Sequence, residues 1–264
     1  MASYNTHGGH NPAKKVACGA TGLLDESKED RLVEAAVRKY LKKAGHTVNC
    51  CTVSNGTSQR DVLVKICAKC NAHSVKADFS FHFNSGRNDK KGDKKLGGFE
   101  VWATSFSGIK GEIAKRAVKN MKELGFTAHG NPYKTTSGLY YLNHTKAPAL
   151  LFEICFVDDK DDYLLYKSVG ADRIGKAIAE AIVGKTIKTA VSTKLKEAVS
   201  KGASVKITDK NAKYGGSSKG KTISSEFLNK KYTVSKVQKN NGEMEALLKQ
   251  LNSWVPTKYL TVVK

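Results

Sequence analysis

Residues 77–84, Ala-Asp-Phe-Ser-Phe-His-Phe-Asn, alternate cleanly. Phe79, Phe81 and Phe83 fall on one side of an extended strand, and Asp78, Ser80 and His82 on the other. Three phenylalanines on one face need a helical layer over them, which makes this a core strand with His82 near its carboxyl end. Residues 147–157, Ala-Pro-Ala-Leu-Leu-Phe-Glu-Ile-Cys-Phe-Val, form a second key strand. Its apolar run is nearly continuous, as in a strand covered on both faces, and Glu153 interrupts it. A carboxylate there is costly unless it is protonated, paired or close to a metal.

Further strand patterns at 3–6, 47–53, 98–104 and 138–142 are interspersed with helical periodicity. A helix is predicted from Asp25 to Ala44, with Asp25 as N-cap, an acidic first turn and the inward stripe Val33, Val37, Tyr40 and Leu41. Glu26 and Glu29 lean toward the covered side of that helix. Helices also read over about 58–71, over 110–124 with Gly125 as the stop, and from residue 158 onward with a break near Gly170. This alternation predicts an α/β fold, a mostly parallel sheet with helices on both faces. From Ser204 the pattern changes to short strands at 205–207, 232–234, 246–248 and 252–255, with turns at Gly215-Gly216 and Asn241-Gly242. About 60 residues of short strands predict a small all-β barrel. The expected organisation is a domain over 1–186, a linker over 187–203 and a domain over 204–264; Val191, Leu195 and Val199 give the linker an amphipathic helical option.

Charge sharpens this division. The 264 residues carry a formal +21, which implies a polyanionic partner. Residues 1–186 hold 29 Lys+Arg against 19 Asp+Glu, whereas 187–264 hold 16 against 5, a net of +11. Nucleic acid would account for the charge but for neither Glu153 nor the histidines, so it is not the expected partner. No apolar run follows Met1 and no stretch approaches the ~20 residues of a bilayer span. The expectation is synthesis as a soluble cytoplasmic protein without membrane insertion. Six cysteines in that setting are expected reduced, and Cys67-Ala68-Lys69-Cys70 fits the apolar face of its helix better than a zinc or redox motif.

The candidate chemistry lies in His7-Gly8-Gly9-His10, Glu26, His82 and Glu153. Either histidine of the glycine turn suits a metal. Two imidazoles and one carboxylate make a catalytic zinc shell that leaves a position for water, and a further glutamate can move protons. Gly9-His10, the helix start at Glu26, Ser80-Phe81-His82-Phe83-Asn84 and Leu151-Phe152-Glu153 resemble the motifs of zinc-dependent N-acetylmuramoyl-L-alanine amidases of the amidase-3 type, phage endolysins among them, over roughly residues 1–186. The resemblance implies a twisted sheet flanked by helices and cleavage of the bond between muramic acid and L-alanine in peptidoglycan. It implies Zn2+ held by His10, Glu26 and His82, with Glu153 as general base and acid. His7 then stands behind the ligands or touches substrate, and Asn84 faces the cleft or forms a turn. Ala212-Lys213-Tyr214, Ser253-Trp254-Val255 and Tyr259-Leu260 resemble bacterial SH3-type wall-binding domains. That makes Tyr214, Trp254 and Tyr259 candidate wall contacts, and peptidoglycan and anionic cell-wall polymers the expected partners, reached after release from the host cytoplasm. A host autolysin would share this chemistry. A zinc peptidase acting on the stem peptide is the alternative, and the sequence has no HExxH helix to support it.

Overall fold

Alternate residues of the strands face two different layers, and that sorting builds the first unit. The computed structural model describes residues 1–187, 199–240 and 242–263. The chain divides into two compact units, Met1–Ile187 and Lys188–Lys264. The first runs β1 (Ser3–Gly8), α1 (Glu26–Lys43), β2 (Thr47–Cys50), α2 (Gln59–Asn71), β3 (Ala77–Asn84), β4 (Phe99–Ala103), α3 (Ile109–Glu123), β5 (Ala128–Thr135), α4 (Tyr140–His144), β6 (Ala149–Phe156), α5 (Lys160–Val169) and α6 (Ala171–Val183). Its six strands lie in the order β2-β1-β3-β6-β4-β5. The sheet is mixed: β4 runs antiparallel to β6, and the other pairings are parallel.

Phe79, Phe81, Phe99, Val101, Phe152 and Ile154 join the buried stripes of α1, α3 and α6 in the main core. Each phenylalanine withdrawn from water there contributes about 2–3 kcal/mol. The opposite face carries a smaller apolar cluster, with Val62, Ile66, Cys67 and Cys70 of α2, Tyr141 and Leu142 of α4, and Ala149 and Leu151 of β6. Cys67 and Cys70 are thus buried on the inner side of α2. Ser58 caps α2 by accepting from Asp61 N. The break near Gly170 is present: its φ of +80° separates α5 from α6, a conformation that favours glycine.

Three local expectations are corrected. Residues 138–142 do not form a strand; α4 covers most of this stretch, because Tyr141 and Leu142 are drawn into the cluster under α2. A strand absent from the reading, β5, lies just before it and pairs with β4 across an irregular register. Asp25 occupies the N-cap position of α1 but makes no side-chain cap bond, and its Oδ1 accepts from Ser27 Oγ instead.

The second unit holds β7 (Ser204–Ile207), β8 (Lys231–Asn240), β9 (Glu243–Leu248), β10 (Ser253–Pro256) and β11 (Leu260–Val262). They form a five-stranded antiparallel sheet in the order β10-β9-β8-β7-β11. Its core includes Val205, Ile207, Val234, Ala246, Leu248 and Val255. Val199 belongs to this core, whereas Val191 and Leu195 of the expected linker helix lie outside the described residues. Among the described residues no helix is long and apolar enough to cross a membrane.

Candidate active site

Four elements deliver the candidate residues to the carboxyl edge of the first sheet. β1 ends in Gly8, and Gly9 then lets the chain pass so close to the His82 ring that a Cβ at this position would overlap it. The next residue is His10. Glu26 opens α1, His82 stands near the end of β3, and Glu153 lies opposite His82 on β6. His10 Nε2 is 3.0 Å from His82 Nδ1 and 2.9 Å from Glu26 Oε1, and His82 Nδ1 is 3.1 Å from the same oxygen.

Three lone-pair atoms in mutual contact cannot all be joined by hydrogen bonds. At most two of the three contacts can carry a well-placed proton; the remaining one sets like against like. A cation among them satisfies all three. Their spacing also approaches the roughly 3.3 Å between neighbouring donors of a tetrahedral zinc shell with bonds of about 2.0 Å. The donor set, two imidazole nitrogens and a carboxylate oxygen, fits zinc.

The surroundings hold this triangle in place. Glu26 Oε2 accepts from Ala20 N at 2.7 Å, and Oε1 also accepts from Phe83 N at 3.1 Å. Arg31 Nη2 donates to the His10 carbonyl at 2.8 Å. Burial opposes the charged form of Glu26, yet the two histidines outweigh it and hold its carboxyl far below the usual range. Burial likewise disfavours the His10 imidazolium, but the Glu26 carboxylate raises its pKa overall. For His82 burial prevails and the pKa falls. Glu29, the other glutamate on the covered side of α1, is a structural partner: it accepts from Tyr166 Oη at 2.7 Å and Lys167 Nζ at 2.6 Å.

Glu153 is the exceptional carboxylate. Its Oε2 is buried without a hydrogen-bond partner among the described residues. Burial first, then the charges of Glu26 and Glu100, push its pKa well above the carboxylate range. His7 is separate from the triangle. It is buried edge-on to Tyr141, with ring centroids 4.6 Å apart, and burial followed by the nearby His82 lowers its pKa to about 3. With Ser80, Tyr141, Leu151, Val62 and Ile66 it lines a recess of about 130 Å3 that also borders His10 and His82. Asn84 is half-buried, and its side chain donates to Glu100 Oε2 at 3.1 Å.

Glu100 escaped the sequence reading. It is 2 % exposed, stands opposite Glu153 on β4, and takes Trp102 Nε1 at 3.0 Å and Lys134 Nζ at 3.3 Å. The signal was present, a glutamate between Phe99 and Val101, and it is the same signal that marked Glu153. In the second unit Tyr214 and Tyr259 pack against the core, whereas Trp254 lines a shallow groove with Lys201, Lys236 and Met244.

The family model described as N-acetylmuramoyl-L-alanine amidase matches residues 5–184. An uncharacterized protein of Clostridium perfringens strain 13 is 36 % identical over 181 residues, 69 % of this chain and 51 % of that one. An uncharacterized 38.4 kDa protein of Clostridium perfringens is 34 % identical over 190 residues, 71 % of this chain and 52 % of that one. The chain therefore spans about half the length of these curated relatives. Among solved structures, the catalytic domain of the CD27L endolysin targeting Clostridia difficile superposes with a TM-score of 0.62 at 22 % identity, covering 71 % of this chain and 100 % of that one. The Ami1 N-acetylmuramyl-L-alanine amidase of Mycobacterium smegmatis gives 0.59 at 18 % identity, over 69 % of this chain and 95 % of that one. At these identities the structures speak to the fold alone.

Proposed function

The chain belongs to the amidase-3 family of N-acetylmuramoyl-L-alanine amidases, and from that membership we propose that it hydrolyses the amide between muramic acid and L-alanine of peptidoglycan with a zinc ion at His10, Glu26 and His82. The observation that carries this reading is the contact triangle of His10 Nε2, His82 Nδ1 and Glu26 Oε1, with Glu153 in register beside it. Zinc bound there supplies a water acidified to a pKa of about 7 and polarisation of the scissile carbonyl. Glu153 accepts the proton of the attacking water and returns it to the departing alanine nitrogen. Its buried position, with one oxygen free of other partners, keeps it available for both transfers. The two backbone N–H groups on Glu26 fix that ligand's orientation, so the triangle is held before substrate arrives.

The biological setting we infer is that of an endolysin, made in the host cytoplasm and acting on the wall after release. The second unit serves as an SH3-type wall-binding domain. Its charge supports attraction to anionic wall polymers, and Trp254 beside Lys201 and Lys236 supports a groove for wall material. Digestion of purified walls tests the reaction. The expected products are new L-alanine amino termini with no new reducing sugars; amino termini of other residues would show a peptidase instead.

A further inference from the structure

Four neighbouring strands each place one ionisable residue on the same face of the sheet. His82 of β3 stands opposite Glu153 of β6, and Glu153 stands opposite Glu100 of β4. Lys134 of β5 pairs with Trp102, two residues beyond Glu100 and on the same face, and its ammonium reaches Glu100 Oε1 at 3.3 Å. The row therefore reads candidate ligand, candidate proton carrier, buried acid, cation. Glu100 also receives Asn84 and Trp102, so it is a fixed seat. Lys134 is different: its side chain is 28 % exposed, and an ammonium has three donors, only one of which Glu100 requires.

We propose that Lys134, seated by Glu100, contacts the substrate and takes a carboxylate carried by the stem peptide close to the cleaved amide. This rests on the amidase reading above. Adjacent strands lie about 4.8 Å apart and an extended peptide advances about 3.3–3.6 Å per residue. The Lys134 ammonium, drawn toward Glu100, lies between one and two strand spacings from Glu153, so a peptide crossing the strands meets it about one to three residues from the bond being cut. The buried Glu100 carboxylate on the same face would repel a substrate carboxylate arriving unpaired. Lys134 is the cation of that row, and it offers a charge-assisted hydrogen bond that a neutral carboxamide cannot match. Trp102, half-buried, packs against the smaller apolar cluster and donates its indole N–H to Glu100.

The test uses the full chain loaded with zinc and two soluble N-acetylmuramoyl-L-alanyl peptides. They are identical except that the residue after alanine carries a carboxylate in one and a carboxamide in the other. The acid is expected to be preferred roughly tenfold in kcat/KM, mostly through KM. In Lys134→Gln the ratio falls toward one, and Lys134→Arg recovers part of it. Calorimetry on Glu153→Gln protein, in which turnover is slowed about a hundredfold, reads the same preference in Kd, and adding Lys134→Gln should remove it. Should Lys134→Gln leave Glu100 as an uncompensated buried charge and fail to fold, Glu100→Gln/Lys134→Gln removes both charges and reports the same ratio. A ratio near one in the wild-type chain, or one unchanged by Lys134→Gln, overturns the assignment while leaving the amidase reading intact. Failure to cleave either peptide defeats both.

Discussion

The two faces of the six-stranded sheet are made from alternate residues of the same strands and have opposite characters. Toward α1, α3 and α6 the strands present phenylalanines; Phe81 and Phe152 stack with centroids 5.7 Å apart, and Phe99 stacks on Phe152 at 6.2 Å. Toward α2 and α4 they present Asn5, His7, Asp78, Ser80, His82 and Glu153, all but His82 and Glu153 nearly fully buried. Among the described residues His7 Nε2, Ser80 Oγ, Asp78 Oδ2 and Glu153 Oε2 find no hydrogen-bond partner. Unpaired buried polar atoms are destabilising by about 1–3 kcal/mol each, so the polar face exists because the apolar one outweighs it. Period-two alternation lets one strand supply both, and the difference predicts which substitutions change folding and which change chemistry.

The largest effect should come from the polar face. Chelation should lower wall lysis ~10³-fold or more, because acidification of the water and polarisation of the carbonyl disappear together, and added zinc should restore it. The untreated protein should contain about one zinc per chain. Full lysis by a metal-free preparation would end the mechanism proposed here. Phe81→Ala comes next and acts from the apolar face. It should cost about 3–5 kcal/mol of unfolding free energy in urea titrations, while the surviving folded molecules keep their zinc. Loss of zinc at unchanged stability would break the division between the faces.

Glu153→Gln returns to the polar face with a smaller change. It preserves shape and removes the proposed proton carrier, so turnover should fall by ~10² with zinc content and melting temperature nearly unchanged. If Glu153 were a structural ion-pair member, stability would fall and activity per folded molecule would survive.

The same alternation explains what could be read in advance. The Phe79-Phe81-Phe83 face and the lone Glu153 were legible because period two separates the sides within eight residues. The helix start at Glu26 and the break at Gly170 were legible from local chemistry. β5 was not, because Gly130 and Pro132 interrupt it and its residues alternate weakly. α4 read as a strand because Leu-Tyr-Tyr-Leu favours extended structure and five helical residues are too few to display a 3.6 period. The contact triangle joins residues up to 72 positions apart, so only its residue types, not its distances, were readable. Lys134 is one of 45 basic residues, and nothing in the sequence separates it from the others.

Asp78 gives a pH-dependent measure of the same contrast. It lies at the base of the polar face, where Asn5 Nδ2 donates to one oxygen at 2.6 Å and the other oxygen has no partner. Burial raises its pKa to about 6, against which the Asn5 bond works. The folded state thus binds this proton more tightly than the unfolded chain does. The associated stability is present in full below about pH 4 and is lost as pH rises through 6. Asp78→Asn should match wild type near pH 4 and exceed it by on the order of 2–3 kcal/mol near pH 8. Equal urea midpoints at both pH values would show that Asp78 is solvated in solution.

The smallest expected effect asks whether the second unit divides core from contact in the same manner. Tyr214 and Tyr259 pack on its core, so their replacement should act mainly on folding. Trp254 is half-buried outside that core, with Lys201 and Lys236 beside it. Surface charges are screened over about 8 Å at physiological salt, so wall attraction carried by lysines alone should vanish as salt rises. A groove that buries wall material against an aromatic ring should hold on. Sedimentation of the full chain with purified walls across a salt series separates the two. Wild type should keep a salt-resistant bound fraction, and Trp254→Ala should weaken that fraction about five- to tenfold, roughly 1 kcal/mol, with the salt-sensitive part unaltered. Binding lost entirely at moderate salt in both proteins would leave charge as the sole basis of wall attraction and remove Trp254 from the contact.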